Sequence, residues 1–103
     1  MATSTTNLPS IGNLLVRERY TSDSFTVSAY SQAGKELTIT KSGYTPLGVV
    51  GLWAKANANT LYYNFRLGNS SGNGEDKVTV SVKNHTSGAI DGQFAVDILY
   101  VKN

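Results

Sequence analysis

The chain has no cysteine, one histidine, one tryptophan and two prolines among its 103 residues. Without cysteine there is no disulfide framework and no thiolate metal site, so stability must come from an apolar core or from burial between subunits. A lone His85 leaves a zinc centre or a catalytic triad without a second imidazole. Charge is also sparse: nine Lys/Arg and seven Asp/Glu leave a formal +2, scattered from Arg17 to Lys102. The clustered cationic face of a nucleic-acid-binding protein is missing, and no nucleic-acid partner is expected. Arg17 and Arg19 come nearest to such a face, with Glu18 between them. No run approaches the ~18 apolar residues of a membrane helix, which argues against membrane insertion. The first residues lack both a basic n-region and an apolar h-region, so the expectation is cytoplasmic synthesis without a signal peptide.

What is present is alternation. Residues 1–12, rich in Thr, Ser and Asn, read as an N-terminal arm or linker, and 13–103 as one domain. A chain of this length with 40% apolar residues can bury a single core. Leu14, Val16, Glu18 and Tyr20 share one face of a first strand, with Leu15, Arg17 and Arg19 on the other. Phe25, Val27 and Ala29 mark a second strand, and Leu37 with Ile39 a third after a turn at Ala33-Gly34. Residues 46–54 make a fourth. After a hinge at Asn57-Ala58-Asn59 come Leu61, Tyr63, Phe65 and Leu67, then Val78, Val80 and Val82, then Phe94, Val96, Ile98 and Tyr100. The pattern predicts an all-β, antiparallel, jelly-roll-like sandwich of seven to eight strands.

The segment Lys41 to Gly51, KSGYTPLGVVG, tests for a phosphate loop and fails. Val49 and Val50 stand where a P-loop needs Lys and Ser/Thr, and no helix follows to offer its N-terminus. The same residues fit a turn at Ser42-Gly43 opening a central strand, with Pro46 at a strand start or on an edge. Gly48 and Gly51 predict a bulge, or a backbone or ring lying close above them. Residues 47–54 and 95–101 are apolar on both faces, Asp97 apart, and so call for cover on both sides, which a neighbouring subunit would supply.

No nucleophile, base and orienting group can be assembled, so no catalytic residue and no enzyme activity are expected. Glu75 and Asp76 match no calcium-loop pattern, and no metal or other cofactor is expected. Asn69-Ser-Ser71 and Asn84-His-Thr86 fit the glycosylation acceptor pattern but read as ordinary loop asparagines. Among the aromatics, Tyr63, Phe65, Phe94 and Trp53 fall in the core by period. Tyr30, Tyr44 and Tyr62 are candidates for exposure, and exposed rings can stack on sugars or anchor subunits.

The Thr40–Gly51 stretch TKSGYTPLGVVG, the Val78-x-Val80-x-Val82 strand ending in Lys83-Asn84, and the closing Phe94-x-Val96-x-Ile98-Leu-Tyr-Val101 strand resemble the small β-sandwich domains at the tips of bacteriophage tail fibres and related virion appendages. The resemblance covers residues 24–103. It implies a non-enzymatic homotrimer, located on the virion and assembled in the host cytoplasm. Such a domain contacts a host-surface glycan or other virion proteins through distal loops. A capsid decoration or head-fibre knob is the nearest alternative, and a non-catalytic carbohydrate-binding module another. The family offers no binding motif to transfer. Exposure points to Tyr44, Tyr62, Asn73, Asp76 and His85, on or beside the loops 68–76 and 84–92.

Overall fold

A computed structural model describes residues 14–68 and 76–103 and the backbone of residues 3–7. These form eight strands: β1 (Thr3–Asn7), β2 (Leu15–Ser22), β3 (Phe25–Val27), β4 (Gln32–Thr38), β5 (Tyr44–Ala56), β6 (Leu61–Leu67), β7 (Lys77–Asn84) and β8 (Ile90–Lys102). Every pairing is antiparallel. The long β8 organises the larger sheet. On one side it pairs with β2 and then, past the bend at Asp23-Ser24, with β3. On its other side runs β5. Strand β1, inside the stretch expected to be an arm, adds to the outer edge of β2. The smaller sheet has the order β4-β7-β6. The expected antiparallel sandwich is present. Its strands divide unequally, whereas a jelly roll sets two four-stranded sheets face to face, so the jelly-roll subtype goes beyond this pairing.

The core forms where the inner rows of the two sheets meet. Val78, Val80 and Val82 of β7 face Phe94, Val96, Ile98 and Tyr100 of β8, all fully buried, with Tyr20, Val27, Leu37, Ile39 and Leu61 closing the sides. Strict alternation along β7 and β8 makes this possible, because a one-residue slip would carry every one of these side chains to the opposite face.

Two local expectations need correction. The turn placed at Ala33-Gly34 lies earlier: Gly34 is paired with Ser81 inside β4, and the chain reverses at Ala29-Tyr30. Tyr30 takes a left-handed φ of 53°, held by its N–H donating to the Thr86 carbonyl and by Ser31 N–H donating to Ser28. Tertiary hydrogen bonds thus impose on a tyrosine a conformation that Gly34 would have adopted without strain. The second correction concerns β5, which is an edge strand and not a central one. Pro46, which cannot donate to a ladder, fits that position. Three register shifts leave Leu47, Val50 and Lys55 as extra residues without a partner on β8. The glycines do what their spacing suggested. Gly48 sits beside the first bulge with φ 150°, and the Trp53 ring lies against Gly51.

A polar chain crosses the core near one end. The Tyr100 hydroxyl donates to the Ile39 carbonyl at 2.7 Å and lies 2.6 Å from the Tyr20 hydroxyl, which is 3.3 Å from Glu18 Oε2. Lys41 Nζ donates to Glu18 Oε1 at 2.8 Å. Two hydroxyl hydrogens cannot fill three contacts. With the Tyr100 hydrogen on Ile39 and the Tyr20 hydrogen on Tyr100, the long approach to the carboxylate is the one left unfilled. Burial, first among the causes, raises the pKa of both tyrosines above the usual value. A raised folded-state pKa means that this stability is complete below the unfolded-chain value, about pH 10, and is lost as pH rises beyond it. Urea-unfolding midpoints should therefore hold steady to about pH 10 and then fall. Tyr100→Phe should lose about 1–3 kcal/mol at neutral pH, because the Ile39 carbonyl stays buried without its donor, and should show a shallower alkaline decline.

Candidate binding surface

The outer face of the larger sheet is built across three strands. Asp97, the one acid in the apolar run of β8, is fully buried there. Its register partner on β2 is Arg19, and on β5 it is Gly51. Arg19 grips the carboxylate with two donors, Nε to Oδ1 at 2.8 Å and Nη2 to Oδ2 at 3.1 Å. Arg17, two residues along and so on the same face, adds Nη2 to Oδ2 at 3.2 Å, while its own Nε is buried without a partner. The hydrogen bonding of Arg19 to the Asp97 carboxylate is the main reason its guanidinium is held even above its ordinary high pKa.

The guanidinium carbon of Arg19 also lies 4.7 Å from the centroid of the Trp53 ring, within cation–π range. Trp53 is 42% exposed, so its expected place in the core is corrected. The cause is the bulge at Val50. Skipping one residue puts Trp53 opposite Ala95, in the outward row with Gly51. A Cβ on Gly51 would stand 2.2 Å from the indole, so only glycine leaves room for the ring in this position. The indole, Arg19, Ala54, Ala95 and Lys55 line a cleft of about 220 Å³. Ala95 is fully buried, and Lys55 is the extra residue of the third bulge.

The residues chosen from the sequence fall in two places. Tyr62 is exposed on β6, and its ring lies 4.7 Å from that of His85, which follows β7. Asp76 precedes β7, so it lies roughly 30 Å from His85, taking ~3.3 Å per strand residue. There it caps the opposite end, accepting from Thr40 Oγ1 and, through its carbonyl, from Ile39 N–H. Tyr44 belongs to that end as well, half-buried against the core with Lys41 Nζ 5.0 Å from its ring, a correction to its expected exposure. Asn73 lies outside the described residues, as does the Asn69 acceptor pattern. Asn84 is fully buried: its side-chain amide donates to the Val27 and Gly88 carbonyls and accepts from Thr86 N–H and Oγ1. The apparent Asn84-His-Thr86 acceptor is thus a turn clamp.

Sequence reasoning missed the Trp53 cleft, although two signals for it were available. Arg17-x-Arg19 presents two cations on one strand face, and a lone acid in an otherwise apolar strand requires such a partner. Gly51-x-Trp53 has the spacing of a ring folded back over a glycine. Comparison of the chain with protein families, curated proteins and solved structures finds no match in any of the three.

The two arginines are unequal partners, which thermal unfolding can read. Arg19→Met should lower the midpoint more than Arg17→Met, since Arg19 supplies the two-donor grip on a buried charge. Equal effects would mean that Arg17 carries as much of the neutralisation as Arg19.

Proposed function

We propose that this sandwich is a non-catalytic attachment domain of a bacteriophage tail fibre or similar virion appendage, assembled as a homotrimer and engaging the host surface. The observation that carries this reading is the open flank between the edge strands β5 and β6. Leu47 and Val50 on β5, and Phe65 and Leu67 on β6, are each 40–54% exposed. Phe65 and Leu67 belong by register to the inner row with Val80 and Val78, yet the larger sheet does not cover them. This corrects the expectation that Phe65 lies in the core. Counting from the Tyr63 hydroxyl, which donates to the Ala56 carbonyl, they come level with Ala54 and Leu52 of β5.

Exposed apolar groups gathered on one flank mark an association surface. The bulges of β5 oppose edge-to-edge strand pairing, so the cover is supplied by side-chain packing against a neighbouring copy. The buried carboxylates favour a non-catalytic role, because Glu18 is held by Lys41 and Asp97 by two arginines. A capsid decoration or head-fibre knob would use the same flank elsewhere on the virion. A monomeric carbohydrate-binding module is the second reading, and the half-exposed Trp53 favours it.

Light scattering over a dilution series decides between assembly and the monomeric module. The expected mass is three times the 11.0 kDa chain. The double change Val50→Asp and Phe65→Asp should reduce it to one chain while leaving the far-ultraviolet circular dichroism of a β-protein intact. A native monomer at all concentrations would overturn the assembly reading and put the sugar-binding module first.

A further inference from the structure

We propose that the Trp53 cleft binds an acidic saccharide unit, a pyranose carrying a carboxylate, with the indole stacked on the ring and Lys55 and Arg19 holding the carboxylate. This deepens the attachment reading and rests on it for biological purpose, but it does not depend on the trimer.

Three observations lead to the ligand class. The first is charge. Arg19 and Lys55 line the cleft, and Arg17 shares the neutralisation of Asp97, so these four groups carry two net positive charges. Lys55 is exposed and makes no ion pair among the described residues. Arg19 commits Nε and Nη2 to Asp97, which leaves the Nη1 donors without a partner among the described residues. An Arg edge and a Lys ammonium converging on one opening match a planar anion.

The second is shape. The cleft, about 220 Å³, is smaller than the roughly 300–1,000 Å³ of sites for drug-sized ligands, so it suits a single ring. Ala95 keeps the floor flat, and the indole offers an apolar plate of the kind on which the C–H face of a sugar can lie. The third is rigidity. Trp53 is fixed from one side by Gly51 and from another by Arg19, which Asp97 anchors in turn. The plate is therefore in place before the ligand arrives, and little ordering cost attends binding.

A nucleic-acid strand also favours a ring beside cations, but it needs a cationic track along its backbone. The remaining cations are dispersed along the chain and form no such track in sequence.

Trp53 is the sole tryptophan, so its fluorescence reports on this cleft alone. The probes are tetragalacturonic acid, a glucuronate-bearing oligosaccharide and sialyllactose, each beside its methyl ester, which keeps the rings and removes the charge. Saturable change with at least one acid, at least tenfold weaker with its ester and weakened by added salt, is the expected result. Lys55→Ala should weaken binding at least tenfold. Gly51→Ala should do the same by pushing the indole aside, with the circular dichroism unchanged. Equal binding of acid and ester would overturn the acidic class while keeping a sugar-binding surface. Tighter binding of a single-stranded oligonucleotide than of any acid would replace the saccharide with a nucleic acid. No saturable response to any of the three acids would overturn the inference and leave the assembly reading to its own test.

Discussion

The carboxylate of Asp97, buried at the middle of the strand that both flanks of the larger sheet share, constrains everything on that sheet's outer face. A charge so placed must be neutralised by partners with good geometry. The antiparallel register delivers Arg19 directly beside it and Arg17 one step along. Arg19, stretched across β8 to reach the carboxylate, comes to rest on Trp53, and Trp53 rests on Gly51. Five residues on three strands are thereby ordered by one ionic requirement. Apolar side chains in place of the whole Asp97, Arg17 and Arg19 cluster would be at least as compatible with stability, since buried ion pairs often add little net free energy. What the charge contributes is register. A one-residue slip of β8 would turn Asp97 into the core and Phe94, Val96, Ile98 and Tyr100 out of it.

The fold was legible wherever the chain kept a period of two. Strands β2, β6, β7 and β8 follow from alternation, and the inner rows of β7 and β8 form the centre of the core that the pattern predicts. Strand β5 was legible in its parts but not in its place. Three extra residues break its alternation, so outward and inward side chains look like one continuous apolar run, and that run mimics a strand buried on both faces. Its proline and glycines are edge and bulge signals and point to the edge position, whereas its hydrophobic density points to the centre. The exposure of Tyr30 follows from the sequence, but its turn does not, because that turn depends on a hydrogen bond to Thr86, far along the chain.

The candidate surface was less legible, because exposure judged residue by residue does not say which residues meet. Tyr62 and His85 do come together, but β7 separates them from Asp76, and Tyr44 turns inward. Trp53 and Phe65 share a period with core residues and still reach solvent, for unlike reasons: one is shifted to the outer face by a bulge, the other faces inward where the sandwich is open. Periodicity assigns a face, but whether the face is covered depends on how the two sheets are laid against each other.

Both surfaces proposed here come from the irregularity of a single edge strand. A straight β5 would pair fully with β8, present a flat unprotected edge and invite indiscriminate strand addition. Its bulges remove that hazard and at the same time place Leu47 and Val50 on the flank, Lys55 at the cleft and Trp53 on the outer face. The two surfaces are also chemically distinct. The flank is apolar and suits a copy of the same chain, while the cleft is cationic and aromatic and suits a small anionic ring. Because β5 carries both, association along the flank leaves the outer face free to meet a target, and repeating the cleft in each copy would let weak single-ring contacts combine into firm attachment.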